Sequence, residues 1–249
     1  MADFSFVLVT DARPLPTKKV IAAAKRRGFT LSHDAADRDG PQTFRLAGDG
    51  NPSLVTMVMP APHPDAAGMA TGLTSPTPEV FERAKAHFIV TTLGSTGDER
   101  ARDRTLGLLT AAVIEALGAR ALAAMLGHGH TFHRAEVFRD LADLAIDAAE
   151  LPCELAIDVT AARESETHMS FLTHNLVRYG REELYVRCPI KGQGATDFVL
   201  GIARWLLTDR DKQLPTGETI GRTATEKVKI QRVPNPTGSG PPVIFLDLP

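Results

Sequence analysis

The stretch MSFLTHNLVRYGREELYVRCPI, Met169 to Ile190, decides the reading of the fold. Met169–Leu176 is an apolar, strand-like run that leads into the turn Arg178-Tyr179-Gly180. Leu184, Val186, Cys188 and Ile190 then alternate with polar or bulkier partners. Successive strand residues point to opposite faces, so this is the pattern of a half-buried strand. A connection this short joins neighbours that run in opposite directions, because a parallel pair needs a long crossover. The segment predicts an antiparallel hairpin, and with it an α+β protein rather than a doubly wound nucleotide-binding fold.

Downstream, Thr196–Leu207 reads as a helix with Phe198, Ile202, Trp205 and Leu206 on one stripe, which assigns Trp205, the only tryptophan, to the core. Val228 and Ile230 alternate with Lys227, Lys229 and Gln231 and are expected to pair with Val243–Leu248. Upstream, Leu155–Val159 reads as a strand. The N-terminal part alternates strand and helix. Phe4–Thr10 is a strand, and Thr17 is the expected N-cap of a helix through Arg27 that Gly28 ends. Strands follow at Thr43–Leu46 and Leu54–Met59, then a long Pro/Gly/Ala/Thr-rich loop over 60–78 and a short helix Pro78–Lys85. Next come a buried strand His87–Leu93, a helix Glu99–Leu117, a strand Ala121–Leu126 and a helix Ala135–Ala148. The expected fold is α+β, with mixed, largely antiparallel sheets and helices mainly on one face. An N-terminal lobe over 1–150 packs closely on a C-terminal lobe over 151–249. A single compact body, or two similar lobes, stays open, since both halves share the order strand, helix, strand, strand.

Composition narrows the function classes. Hydrophobic residues make up 43% and charged residues 23%, enough apolar surface to form a core. Twenty-eight basic residues against thirty acidic ones leave no excess to displace counterions from a nucleic acid. The basic stretch Lys18, Lys19, Lys25, Arg26 and Arg27 is read as a solvated helix face. Two cysteines, Cys153 and Cys188, cannot build a disulfide framework or a thiolate zinc site, and are read as buried thiols. No apolar run has the length of a membrane span and no secretory signal is expected, so cytoplasmic residence is the expectation.

The motif with most chemical content is His128-Gly129-His130-Thr131-Phe132-His133. Imidazoles at i and i+2 of an extended segment share a side, and a third could close a shell around zinc or another divalent transition metal. Carboxylates would have to come from Glu136 or Asp140 in the next helix. The competing reading is a polar loop in which His133 or Thr131 caps that helix. Gly94-Ser95-Thr96-Gly97-Asp98 joins a buried strand to a long helix without the lysine of a phosphate loop, and is read as a capped turn. His168 and His174 share a strand face, read as solvated.

Thr173–Val186 (THNLVRYGREELYV) and Thr219–Val233 (TIGRTATEKVKIQRV) resemble the signature stretches of an uncharacterised bacterial domain-of-unknown-function family. Its [FY]-G turn before a Glu-Leu strand corresponds to Tyr179-Gly180 and Glu183-Leu184. Its later Gly-Glu-Thr-Ile-Gly run corresponds to Gly217–Gly221, ahead of Glu226-Lys227-Val228-Lys229. Met59-Pro60-Ala61-Pro62 matches it too, as does Lys85–Thr91, its lysine-alanine-histidine entry into a buried strand. The resemblance implies a shared scaffold and transfers no active site. The expected function is a non-enzymatic protein-interaction module, of immunity or accessory type, with a protein partner and neither nucleic acid nor membrane. The alternative is a metal-dependent hydrolase at His128, His130 and His133.

Overall fold

A computed structural model describes residues 3–33, 41–47, 53–69, 75–94, 97–129, 131–148, 150–191, 194–208 and 211–249. The chain divides into two compact units, Met1–Ala156 and Ile157–Pro249. The first unit contains β1 (Asp3–Val9), α1 (Thr17–Arg26), β2 (Leu31–His33), β3 (Gln42–Leu46), β4 (Ser53–Met59), α2 (Pro78–Arg83), β5 (Ala86–Leu93), α3 (Glu99–Leu117), β6 (Ala121–Leu126), β7 (His133–Arg134), α4 (Ala135–Asp143) and α5 (Cys153–Ala156). Its seven-stranded sheet has the order β2-β3-β4-β5-β1-β6-β7, with every neighbouring pair antiparallel.

Strand alternation sorts this sheet into two faces. Val7, Val9, Phe88, Val90, Ala124 and Leu126 join one core with residues of α1, α3 and α4. Leu8, Ala123 and Met125 meet Phe132, Ala66 and Ala84 on the other side. The helices thus lie mainly on one face. α3 is capped by the Asp98 carboxylate, which accepts from the Ala101 N–H at 3.1 Å. It packs against α1, α4 and β1, and Leu106 to Ala112 are buried without interruption. The Arg27 guanidinium ties the three helices together. It donates to Asp143 at 2.7 and 3.0 Å, to Glu115 at 2.7 Å and to the Ala23 carbonyl at 3.0 Å, with its side chain 2% exposed. Arg27 is therefore a buried clamp. Only Lys18, Lys19, Lys25 and Arg26 form the solvated basic face.

The second unit contains β8 (Asp158–Arg163), β9 (His168–His174), β10 (Leu184–Pro189), α6 (Ala195–Thr208), β11 (Thr219–Ile220), β12 (Val228–Lys229), β13 (Gln231–Val233) and β14 (Val243–Asp247). Its main sheet has the order β13-β14-β10-β9-β8, antiparallel except for the β10–β14 pair, and β11–β12 forms a separate ribbon. The two sheets differ in strand order and connectivity. The predicted hairpin is present, with Val186 opposite Phe171 and Tyr185 opposite Leu172. Asn175 (φ 80°) and Gly180 (φ 72°) take left-handed conformations on either side of a 3-10 turn, Leu176–Tyr179. Glu183 closes the connection by accepting from Thr173 Oγ1 at 2.6 Å and from the Val177 N–H at 3.2 Å. Burial raises the Glu183 pKa, and the hydrogen bonds from Thr173 and the turn amides oppose that shift.

Several local expectations are corrected. Leu155–Val159 is not one strand: Pro152 opens a helical turn by accepting from the Leu155 and Ala156 amides, and the strand begins at Asp158. A short, mostly apolar run of five residues fits either state, and a proline just ahead of it selects a helical turn for its first part. Thr17 lies inside α1, because Pro16 occupies the cap and its carbonyl accepts from Lys19 and Val20. α4 ends at Asp143, and Arg104 of α3 donates to the carbonyls of Ala145, Ile146 and Ala148 beyond it. Arg134, not Thr131 or His133, stands at the N-cap of α4, without a side-chain bond. Val228 pairs with Ile220, and pairing with the last strand starts at Gln231. The strand Leu31–His33 has no counterpart in the sequence reading. Residues 48–52, between the strands read at Thr43–Leu46 and Leu54–Met59, and residues 70–74 of the long loop lie outside the described residues.

Candidate binding groove

Trp205 departs furthest from its assignment to the core. It is 37% exposed, whereas Phe198, Ile202 and Leu206 on the neighbouring stripe are buried. At 3.6 residues per turn the buried residues of α6, from Phe198 round through Ile202, Leu206 and Val199 to Leu207, cover about half of its circumference, and Trp205 falls just beyond the Phe198 edge of that arc. There it forms one wall of a groove of about 490 Å³. Gly194, Asp197, Phe198, Gly201, Ile202 and Trp205 of the α6 segment face Ile220, Gly221 and Arg222 across it.

Three features hold this groove open. A Cβ built on Gly201 meets nothing within 4 Å, so the missing side chain is part of the groove's space. Glycine at an interior helix position costs about 1 kcal/mol relative to alanine, which is tolerated where space or approach requires it. On the opposite wall, a Cβ on Gly221 would lie 2.1 Å from the Glu226 carbonyl oxygen, so only glycine allows this tight loop. Arg222 is fixed by Glu226, which accepts from the Arg222 N–H at 2.6 Å and pairs with its guanidinium. That hydrogen-bonded pairing lowers the Glu226 pKa.

The polar groups around the apolar floor are of both signs. Asp197 lies in the first turn of α6, Arg222 on the facing loop, and the Lys212 ammonium 5.6 Å from the Trp205 ring centroid. Cys188 is 3% exposed, and burial raises its thiol pKa, with Arg222 opposing the shift. A neutral thiol is a packing residue rather than a nucleophile. The arrangement suits an apolar side chain seated between Trp205 and Ile220, with polar contacts at the rim.

Of the histidine cluster singled out in the sequence, His128 and His133 occupy different surroundings. His128 lies after β6 with its Nδ1 3.9 Å from an oxygen of Asp103, a carboxylate 1% exposed on α3. His133 is buried on β7 opposite Ala124, with its ring edge-on to Phe138 at 6.3 Å. His130 lies outside the described residues, as do Ser95 and Thr96 of the glycine-flanked turn. Glu136 and Asp140 are exposed on α4. Among the described residues, no group of three or more His, Cys, Asp or Glu is arranged to hold a metal ion. His174 shares a hydrogen bond with Thr160 at 2.9 Å and His168 one with Thr167 at 2.8 Å, while Ser170 and Leu172 between them are buried rather than solvated.

A second histidine pair was not anticipated. The stretches Met59–Pro62 and Lys85–Thr91 meet where His87 Nδ1 lies 2.8 Å from the Ala61 carbonyl oxygen. The His63 and His87 ring centroids are 5.4 Å apart, and His63 also meets Phe6 at 4.5 Å and Phe132 at 5.8 Å. The spacing of twenty-four residues between the two histidines carries no local signal, so only the β4–β5 pairing could bring them together. Searches with the sequence and the coordinates found no matching family model, curated protein or solved structure.

Proposed function

We propose that this chain is a protein-interaction module, outside enzymatic catalysis, that takes up an apolar side chain of its partner in the groove between α6 and β11. The observation that carries this reading is Trp205. A large aromatic at a groove wall, backed by the buried Phe198 and Ile202, is the residue type and setting that dominate binding energy at interfaces. Membership of the domain-of-unknown-function family belongs to the same proposal, supported by the meeting of its Met59–Pro62 and Lys85–Thr91 stretches at Ala61 and His87. Host proteins retained by the wild-type chain should be lost by both Trp205→Ala and Gly201→Leu, and kept by Val177→Ala, a change at an exposed apolar residue absent from the groove lining. Since the chain has one tryptophan, the purified partner should also shift its emission. Retention of the same partner by Trp205→Ala would sink the reading.

A second reading, a metal-dependent hydrolase at His128, His130 and His133, draws support from Asp103. A buried carboxylate beside an imidazole is the kind of group that orients a histidine ligand. Stoichiometric zinc in protein purified without a histidine tag, lost in His128→Ala, would favour it over the first.

A further inference from the structure

We infer that His63 is a proton-operated latch, holding the turn His63–Ala66 against the first unit's sheet when neutral and releasing it when protonated, with Ala61 kept on β5 by His87 as the hinge. The inference rests on how the two ring nitrogens are used. The Asp65 N–H donates to His63 Nδ1 at 3.3 Å, so that nitrogen must offer a lone pair. Protonation at Nδ1 would set one N–H against another and forfeit this bond. His87 behaves differently. Its Nδ1 faces a carbonyl oxygen, Ala61, and must be the donor. A further proton on His87 would go to Nε2 and leave that bond in place.

The surroundings add to the same effect. His63 is packed edge-on against Phe6 from β1 and Phe132 from the loop before β7, and neither ring offers a counter-charge. The titratable groups acting on it are His87 of β5, which opposes a positive charge, and Asp65 of its own segment, which favours one. Burial is the largest influence, and with His87 it outweighs Asp65, so the His63 pKa lies below the usual histidine value. A depressed histidine pKa gives stability that is full above the ordinary imidazole range and is lost as pH falls through the folded value. Ala66, whose amide donates to the His63 carbonyl at 3.3 Å, packs in the cluster of Leu8, Met125 and Phe132. Release would therefore expose apolar surface on that face.

The test is amide hydrogen exchange of the full chain at pH 7.5 and 5.5, corrected for intrinsic rates, in the wild type and in His63→Asn. The asparagine carbonyl can accept the Asp65 N–H two residues on but does not titrate. The expected result is a fall of at least tenfold in Asp65 protection for the wild type and of less than twofold for His63→Asn, with Val7 protection unchanged in both. A wild-type fall of less than twofold overturns the latch. So does an equal fall in His63→Asn, or a loss at Val7 in step with Asp65, which would signal global acid unfolding.

Discussion

The helices α3 and α6 each lie across a mainly antiparallel sheet, yet they end in opposite conditions. α3 is flanked by α1 and α4, and even its Gly107 is in tight contact, with a Cβ there placed 2.7 Å from Leu151. α6 has no helix of comparable length beside it among the described residues of its unit, and its Gly201 faces open space. A closed helix layer spends every side chain on packing, whereas a single helix leaves a lateral edge where an aromatic residue can serve binding. The contrast explains why the partly exposed tryptophan and the groove beside it lie along α6 rather than α3.

The largest effect should come from opening the closed layer. Arg27→Ala would leave Glu115 and Asp143 without the cation that bridges them, and equilibrium urea unfolding should show a loss of about 2–4 kcal/mol, less than for fully buried pairs because both carboxylates are about one-third exposed. A loss below about 1 kcal/mol would place the clamp among ordinary surface pairs. Next, Trp205→Ala should weaken partner binding by about 2 kcal/mol or more while unfolding stability changes by less than about 1 kcal/mol. Equal losses in both measurements would mean that Trp205 belongs to the core after all. Gly201→Leu should keep or slightly raise stability, by up to about 1 kcal/mol, since helix propensity improves and nothing lies within 4 Å of its Cβ. It should still abolish binding by filling the groove.

The smallest effect concerns pH. The Glu183 pKa is raised in the folded protein, so its contribution to stability is complete below the unfolded glutamate range and is lost as pH rises through the folded value. Glu183→Gln preserves a carbonyl acceptor for Thr173 and Val177 and should remove this part of the pH dependence, seen as a flatter stability profile from pH 4 to 8. An unchanged profile would mean that the carboxyl titrates normally.

The hairpin at β9–β10 was legible because alternation is a local property: Leu184, Val186 and Cys188 are buried as their period requires, whereas Ile190, the fourth residue of the reading, lies past the end of β10 and is exposed. α3 was legible over its full length, because its apolar residues recur with helical spacing and Asp98 caps it. Boundaries failed where two local states compete, as at Pro152–Val159, where one proline turned an apolar run into a helical turn. The candidate site was largely illegible. Gly201 within the apolar stripe was the one available signal, and the facing wall of Ile220, Gly221 and Arg222 lies well downstream in the chain.

The sequence by itself determined the position of most of the longer strands and helices, that the fold is α+β, and that no helix is long and apolar enough to cross a membrane among the described residues. Periodicity, caps and turn residues act over a few neighbours and can be read in order along the chain. Only the tertiary structure decided that Arg27 is buried while Trp205 is exposed, and that His63 meets His87. Those outcomes depend on how many elements cover a given face, and long-range packing sets that number.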